Sequence, residues 1–211
     1  ELINHIKEIA GAMLTQRLQI LIDDVEVSQK VEKSIQHDLD KSIKFSAVAL
    51  DWKNVSNETF TDSVKYPINI ENNMKLFTQK FVEEKKSKFS EPQLHWSSKH
   101  STVIGNIGET KCQMTGDQAL ILLALQSQRK SVFSLDDIHE ITGINPDTIT
   151  DNLSVMQKKE AGFIVKAIDK DSFCLNPDSS FNSHSDDSDQ KKKKRKIIFP
   201  STSSVIAQKE K

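Results

Sequence analysis

Apolar residues recur at helical spacing in some stretches of this chain and alternate in others, and the change of period marks out its parts. Ile3, Ile6, Ala10, Met13, Leu14, Leu18 and Leu21 fall on one face of a helix over residues 2–22. Gly11 inside that helix costs about 1 kcal/mol relative to Ala, which is tolerable where a neighbouring helix approaches closely. Val31, Ile35 and Leu39, four residues apart, predict a second helix over 28–43, with its other faces charged or polar and hence on a surface. FSAVALDW, at 45–52, has the β-branched and aromatic content of a strand. NVSNETFTDS then reads as a polar loop. Asn69 is placed to cap a helix after Pro67, with Ile70, Met74, Phe77 and Phe81 as its buried stripe and the charge run EEKKSK closing it.

The stretch QLHWSSKHSTVIGNIG, 93–108, reads as two short strands joined by SSKHS. Side chains alternate along a strand, so Leu94 and Trp96 share one face of the first, and Val103, Gly105 and Ile107 one face of the second. A hairpin alone is marginal in water and needs a partner for its edges.

From Thr115 onward the pattern is compact. GDQALILLALQ is a short helix, apolar nearly all round, as a buried helix would be. SLDDIHEITG places Ser134 and Asp137 at capping-box spacing, Ile138 and Ile141 inward, and Gly143 as a stop. NPDTITDNLSVMQKKEAG has Asn145 as N-cap, Pro146 at the first helical position and Gly162 at its end, with Ile149, Leu153 and Met156 as its stripe. FIVKAIDKDSFCLN makes two strands about a DKDS turn. Three helices and then a hairpin is the layout of a winged helix. Beyond it, PDSSFNSHSDDSDQ is acidic and loop-like, KKKKRKIIFP is a basic block running into a short strand, and STSSVIAQKEK is a tail.

Composition narrows the functional classes. The 211 residues suffice for one large domain or two small ones. A net charge of −1 gives no global attraction to nucleic acid or an anionic membrane. No apolar run approaches the ~20 residues that span a bilayer. The start is acidic and helical, unlike a signal peptide. It lacks an initiator Met and begins in mid-pattern, which suggests a fragment of a longer protein. Cys112 and Cys174 have no metal-type spacing and read as buried or half-buried thiols in a reducing, intracellular compartment. There is no glycine-rich phosphate loop, HExxH, Cys–His cluster or GxSxG. His95 and His100 flank the hairpin loop and read as solvated strand-end histidines. Asp23–Asp24 and Asp136–Asp137 sit where turns and helix starts explain them. No nucleophile, base, metal or cofactor site supports an enzyme.

A winged helix that reads DNA needs Arg or Lys on phosphates and Arg or Asn at base edges. The third helix here carries Asp147 and Asp151 in its first half and Lys158, Lys159 and Glu160 only at its end. Acidic residues there would repel the DNA backbone, which favours a protein-packing role. The block Lys191, Lys192, Lys193, Lys194, Arg195 and Lys196 has three readings: a nuclear import signal, a docking patch for an acidic partner, or a solvated flank. Its abutment to the strand KIIFP favours docking, because a strand would hold the charges on a fixed surface.

Taken together in order, several strings resemble a cullin, the scaffold subunit of modular ubiquitin ligases. GAMLTQRL resembles the cullin Leu-x-x-Arg-Leu stretch, and QLHW the Lys-Leu-Thr-Trp strand that cullins place before a second strand. TGDQALILLALQ with FSLDDIHEITGI resembles the cullin winged helix, and KKKKRKIIFPSTSSVIAQKEK the basic-then-strand segment that closes that region. The similarity runs nearly the whole chain, and the colinearity carries it.

The resemblance implies an α+β fold: the end of a helical bundle (1–32), an α/β domain with a small sheet that binds a RING subunit (33–110), a winged-helix domain (111–180), and a linker, closing strand and tail (181–211). It implies a non-catalytic scaffold that captures a RING-finger subunit, whose strand adds to the cullin sheet. Leu94, Trp96, Val103, Ile104 and Ile107 would build or back that sheet, with Ile197, Ile198 and Phe199 supplying a further strand. The RING subunit recruits the ubiquitin-conjugating enzyme, whose acidic tail would meet Lys191 to Lys196, and an N-terminal half outside this chain would bind the substrate adaptor. Cytoplasm and nucleus are the implied compartments; no membrane and no nucleic acid are. KSKFSEP stands where cullins carry a His-Ser-Gly-Arg-Lys-like loop, Pro200 shortens the closing strand, and the second winged helix that accepts a ubiquitin-like modifier is absent from these residues. These departures point to a divergent cullin, fungal among the candidates, or to the cullin-like subunit of the anaphase-promoting complex; the retained winged-helix pattern favours the former. Rivals from other classes are a winged-helix nucleic-acid-binding protein using the basic block, and a structural subunit of a proteasome-lid-like assembly.

Overall fold

The computed structural model describes residues 11–50, 63–85, 93–107, 110–127, 131–158, 164–169, 171–176 and 196–198. The chain divides into two compact units, Glu1–Phe60 with Tyr66–Trp96 and Thr61–Lys65 with Ser97–Lys211.

The first unit is built on two helices, α1 (Ala12–Ile35) and α2 (Ile68–Lys85). The two helices expected over 2–22 and 28–43 are therefore one, with residues 1–10 outside the described part. Nothing between Leu21 and Ser28 breaks a helix. The pair Asp23–Asp24 mimics a turn signal, but the Asp24 carboxylate is ion-paired at 2.8 Å with Lys85 on α2, so its charge is met within the packed pair. Gly11 is not inside the helix; it precedes α1 with φ 84°, and a Cβ there would touch nothing. Val31 and Ile35 of α1 and Phe77 and Phe81 of α2 form the buried core. The Asn73 side-chain oxygen accepts the Asp40 N–H at 2.9 Å and holds the chain that leaves α1 against α2.

Two extended segments lie on that core. Residues 44–50 alternate between half-buried and exposed positions as a strand would, but join no sheet among the described residues. Phe45, Ala47 and Ala49 pack on the core instead, and the Ala49 N–H donates to Ser28 Oγ on α1 at 3.0 Å. Residues 93–97 behave the same way: Leu94 and Trp96 pack on the core without forming a strand.

The second unit carries two three-stranded sheets. β1 (Thr102–Ile107) pairs antiparallel with β2 (Thr110–Thr115), in register Thr102↔Thr115 through Ile107↔Thr110. The hairpin expected between 93–97 and 102–107 is thus displaced one strand along. β6 (Lys196–Ile198) completes this sheet parallel to β2, Cys112 facing Ile197 and Gln113 facing Ile198 in the register, so β2 is central.

β2 runs into α3 (Gly116–Ser127), and the Thr115 and Gln118 side chains close a reciprocal capping box across that junction. Next come β3 (Phe133–Ser134), α4 (Leu135–Thr142), α5 (Pro146–Met156), β4 (Val165–Ala167) and β5 (Ser172–Leu175), with sheet order β3-β5-β4. This is the expected order of three helices and a hairpin, with β3 added. Ser134 and Asp137 form the capping box and Gly143 closes α4 in the left-handed region at φ 69°. Asn145 caps α5 through Oδ1, which accepts the Asp147 N–H at 2.9 Å. Ile121, Phe133, Ile138, Ile149, Leu153 and Met156 fill the core between these elements. The fold is α+β throughout.

Candidate functional site

The residues expected to receive a partner strand fall in both units. In the first, Trp96 meets Phe77 edge to face and Phe45 at a tilt, with centroids 5.8 and 6.1 Å away. Its indole N–H donates to Thr78 Oγ1 at 3.3 Å. Leu94 packs on the same core. Both are anchors of the first unit rather than members of a sheet.

In the second unit, β1 alternates strictly between exposed and half-buried residues. Val103 and Ile107 lie on the half-buried face, with Gly105 between them. Ile104 points the other way and is 56% exposed. β1 stands at an edge of its sheet among the described residues. Ile197 and Ile198 lie in β6, beside β2, so five of the expected sheet residues do belong to one sheet: Val103, Ile104, Ile107, Ile197 and Ile198. Phe199 lies outside the described residues. So do Lys191, Lys192, Lys193, Lys194 and Arg195, while the Lys196 backbone opens β6 opposite Lys111.

Residues 98–101 of the second unit form a hydrogen-bonded turn seated on the start of α3. The Gly116 N–H donates to the carbonyls of Ser98 and Ser101 at 3.0 and 3.2 Å. A Cβ at Gly116 would overlap the Ser101 hydroxyl and come within 2.6 Å of the Ser98 carbonyl oxygen, so glycine is required there. Beside it Asp117 is only 4% exposed. Burial pushes its carboxyl above the ordinary value, against the opposing pull of the Ser98 hydrogen bond and of Lys99 and His100. Burial likewise pushes the Cys112 thiol up, partly offset by the Ile107 N–H. His100 Nδ1 is 2.9 Å from Ser97 Oγ within this turn, whereas His95 belongs to the extended segment of the first unit.

Neither Gly116 nor Asp117 stands out in the sequence as a functional residue; a glycine directly after a strand and before an apolar helix is the one signal available. The strand β2 has a stronger one. Gly108 and Glu109, two residues between two strand-forming runs, fit the Gly-X pattern of a tight hairpin. Among the described residues no group of three or more His, Cys, Asp or Glu side chains is arranged to hold a metal ion, and no helix is long and apolar enough to cross a membrane.

What this arrangement can do is bind, through a strand edge with an apolar side chain presented on its exposed face. No match to the chain was found among curated proteins. The model of the Cullin alpha+beta domain matches residues 49–186, well over half of the chain. That span runs from the extended segment on α1, through β1 and β2, to beyond the β4–β5 hairpin. Fold and family match agree: this chain belongs to the cullin family, in its C-terminal α+β region.

Proposed function

We propose that this region is the part of a ubiquitin-ligase scaffold that captures a RING-finger subunit. The observation that supports it is β1, an edge strand among the described residues that carries the exposed Ile104 on one face. Such an edge offers main-chain donors and acceptors for affinity, and alternate side chains for specificity. Soluble proteins usually blunt edges of this kind with charges, proline or a covering element. β1 is TVIGNI, with no charge and no proline.

The RING subunit would bring the ubiquitin-conjugating enzyme, and the scaffold would contribute placement rather than a chemical group. That role is non-catalytic: it raises effective concentration and orients the reactants. Residues 191–196 would attract an acidic segment of the conjugating enzyme, and a substrate adaptor would bind elsewhere in the full scaffold. The complex would work in cytoplasm and nucleus. Against a nucleic-acid reader stands the outer face of α5, where Asp147 and Asp151 are exposed and would face phosphates unfavourably.

Co-expression of the chain with small RING-finger proteins, followed by size-exclusion chromatography, tests the proposal. Stable co-elution with one of them at equal stoichiometry is the expected result. Failure with every RING protein, together with a salt-dependent shift of duplex DNA, would overturn it in favour of nucleic-acid binding.

A further inference from the structure

The hydrogen bonds at the start of α3 fix which backbone groups of β1 face away from β2. The Gly116 N–H donates to the Ser101 carbonyl at 3.2 Å, and the Thr115 N–H turns away from β1 to Gln118 Oε1 at 3.0 Å. Thr102 and Thr115 are therefore a non-hydrogen-bonded pair of the ladder. The pairs that exchange bonds are Val103 with Met114, Gly105 with Cys112 and Ile107 with Thr110. The N–H and C=O groups of Thr102, Ile104 and Asn106 accordingly point to the outer edge, where β1 has no neighbour among the described residues. Such a row of groups fits one ligand chemistry, another extended strand.

The edge is complementary to itself. Set antiparallel to a second copy across a twofold axis, it places Ile104 opposite Ile104 of the second copy and Thr102 opposite Asn106. Every edge-facing N–H and C=O of the three residues then has a partner. Both faces suit that register. A twofold axis brings like residues together, so a charge at its centre would repel itself. Ile104 is apolar and 56% exposed, and two of them side by side remove apolar surface from water. Exposed Thr102 meets exposed Asn106, polar on polar. On the half-buried face Val103 falls opposite Gly105 of the second copy. A Cβ at Gly105 would meet nothing within 4 Å, so the glycine leaves space for a branched side chain leaning across from the added strand.

We infer that β1 pairs with β1 of a second copy, joining their sheets in a twofold dimer. The contact does not rest on which subunit the scaffold captures, but one edge holds one strand, so a copy paired in this way has none left for a RING subunit. Pairing over Thr102–Asn106 alone falls short of the ~1,200 Å² of a stable interface, which puts association at about 10–100 µM.

Sedimentation velocity of the whole chain, over concentrations extending about tenfold to either side of that range, tests the inference. Dimer should grow with concentration. Ile104→Lys sets like charges on the axis and should weaken association by at least about tenfold. Gly105→Val fills the space and should weaken it as much, with no loss of thermal stability, since glycine weakens a strand interior. Cysteines in a Cys174→Ala background read the register. Ile104→Cys should cross-link to itself on mild oxidation, because the Cα atoms of a hydrogen-bonded antiparallel pair lie about 5.5 Å apart, within disulfide reach. Thr102→Cys should not link to itself but should link to Asn106→Cys when the two are mixed. The Ile104 and cysteine variants decide the matter even where Gly105→Val fails to fold. A chain that stays monomeric across the series would overturn the inference, as would a dimer that survives Ile104→Lys or one in which Thr102→Cys links to itself.

Discussion

The indole of Trp96 meets the ring of Phe77 edge to face at 5.8 Å, and this contact fixes the end of the first unit onto its core. The pair joins α2 to the extended segment 93–97, with Phe45 tilted against the same indole. Edge-to-face aromatic pairs add about 0.5–1.5 kcal/mol beyond the area they bury. Trp96→Ala should therefore destabilise the first unit by about 2–3 kcal/mol, toward the low end for large-to-small changes because the ring is half-buried. Urea unfolding followed by amide exchange checks it. Loss of protection should be confined to α1 and α2, with α3 to α5 unchanged; equal loss in both units would contradict the assignment.

Ile104 is the complementary case. With its side chain 56% exposed, Ile104→Asp should change stability by no more than about 0.5 kcal/mol. It places a charge on the exposed face of the β1 edge, where an added strand would bring its own side chains. Capture of a RING subunit should weaken by at least about tenfold, or 1.4 kcal/mol, with an unchanged unfolding midpoint. Calorimetric titration against the purified subunit measures the first and urea unfolding the second. Undiminished capture would remove β1 as the docking edge.

The sequence shows periodicity well and pairing poorly, for a physical reason. The portion from α3 to β5 is legible because its signals are local. Ser134 with Asp137, Gly143, and Asn145 with Pro146 all fix helix ends within a few residues. Alternation in 45–49 and 93–96 is equally legible, and the structure does bury the alternate side chains. Alternation states which side chains turn inward, not what the backbone pairs with. Ala49 finds its partner in a helix hydroxyl, Ser28 Oγ, and no pattern in the segment announces that. β2 is signalled by the Gly108–Glu109 pair before it rather than by its own residues, because TKCQMT has little apolar content; it is central by virtue of its neighbours on both sides. The single helix α1 is obscured by Asp24, whose compensating Lys85 is sixty-one residues away.

Gly116 is a packing requirement that can be tested directly. A methyl group there would collide with the Ser101 hydroxyl, which can rotate away, and with the Ser98 carbonyl at 2.6 Å, which is backbone and cannot. Gly116→Ala should cost about 1–3 kcal/mol, the usual range for forced overpacking. The helix propensity of Ala offsets up to about 1 kcal/mol of that. Gly116→Ala combined with Ser101→Gly should recover only part of the loss, since the carbonyl remains. Full recovery in thermal unfolding would identify the hydroxyl as the obstacle.

Asp117 makes stability depend on pH in the sense opposite to an ion-paired carboxylate. Burial raises its folded pKa above the ordinary 3.8, so between the two values the folded state holds more protons than the unfolded. Stability contributed by this residue is therefore greatest below the unfolded pKa and falls as pH rises through the raised one. Asp40 and Asp169 are shifted down by hydrogen bonds and act in the other direction, but they are common to wild type and variant and cancel in a difference. Urea unfolding of wild type and Asp117→Asn from pH 3 to 7 should give a stability difference that moves against the wild type across that window. A difference that stays flat would mean that burial does not control this carboxyl.

The basic block offers the last separation, between capture and delivery. Residues 191–196 are six consecutive cations, and β6 begins at the last of them, pairing Lys196 with Lys111 on the central strand. A charge cluster attached to a sheet acts on an acidic partner chiefly through the rate of encounter, which electrostatic steering raises by about 10–10³-fold. Changing Lys191, Lys192, Lys193, Lys194 and Arg195 together to Gln leaves the β6 pairing residues in place. Capture of the RING subunit should then be unchanged, while ubiquitin-chain formation slows by about tenfold at low ionic strength. At about 1 M salt, where the screening length is ~3 Å, wild type and variant should converge. Initial rates measured across a salt series decide it: equal rates at low salt would show that the block does not steer the conjugating enzyme, and a gap that persists at high salt would point to short-range contacts instead of steering.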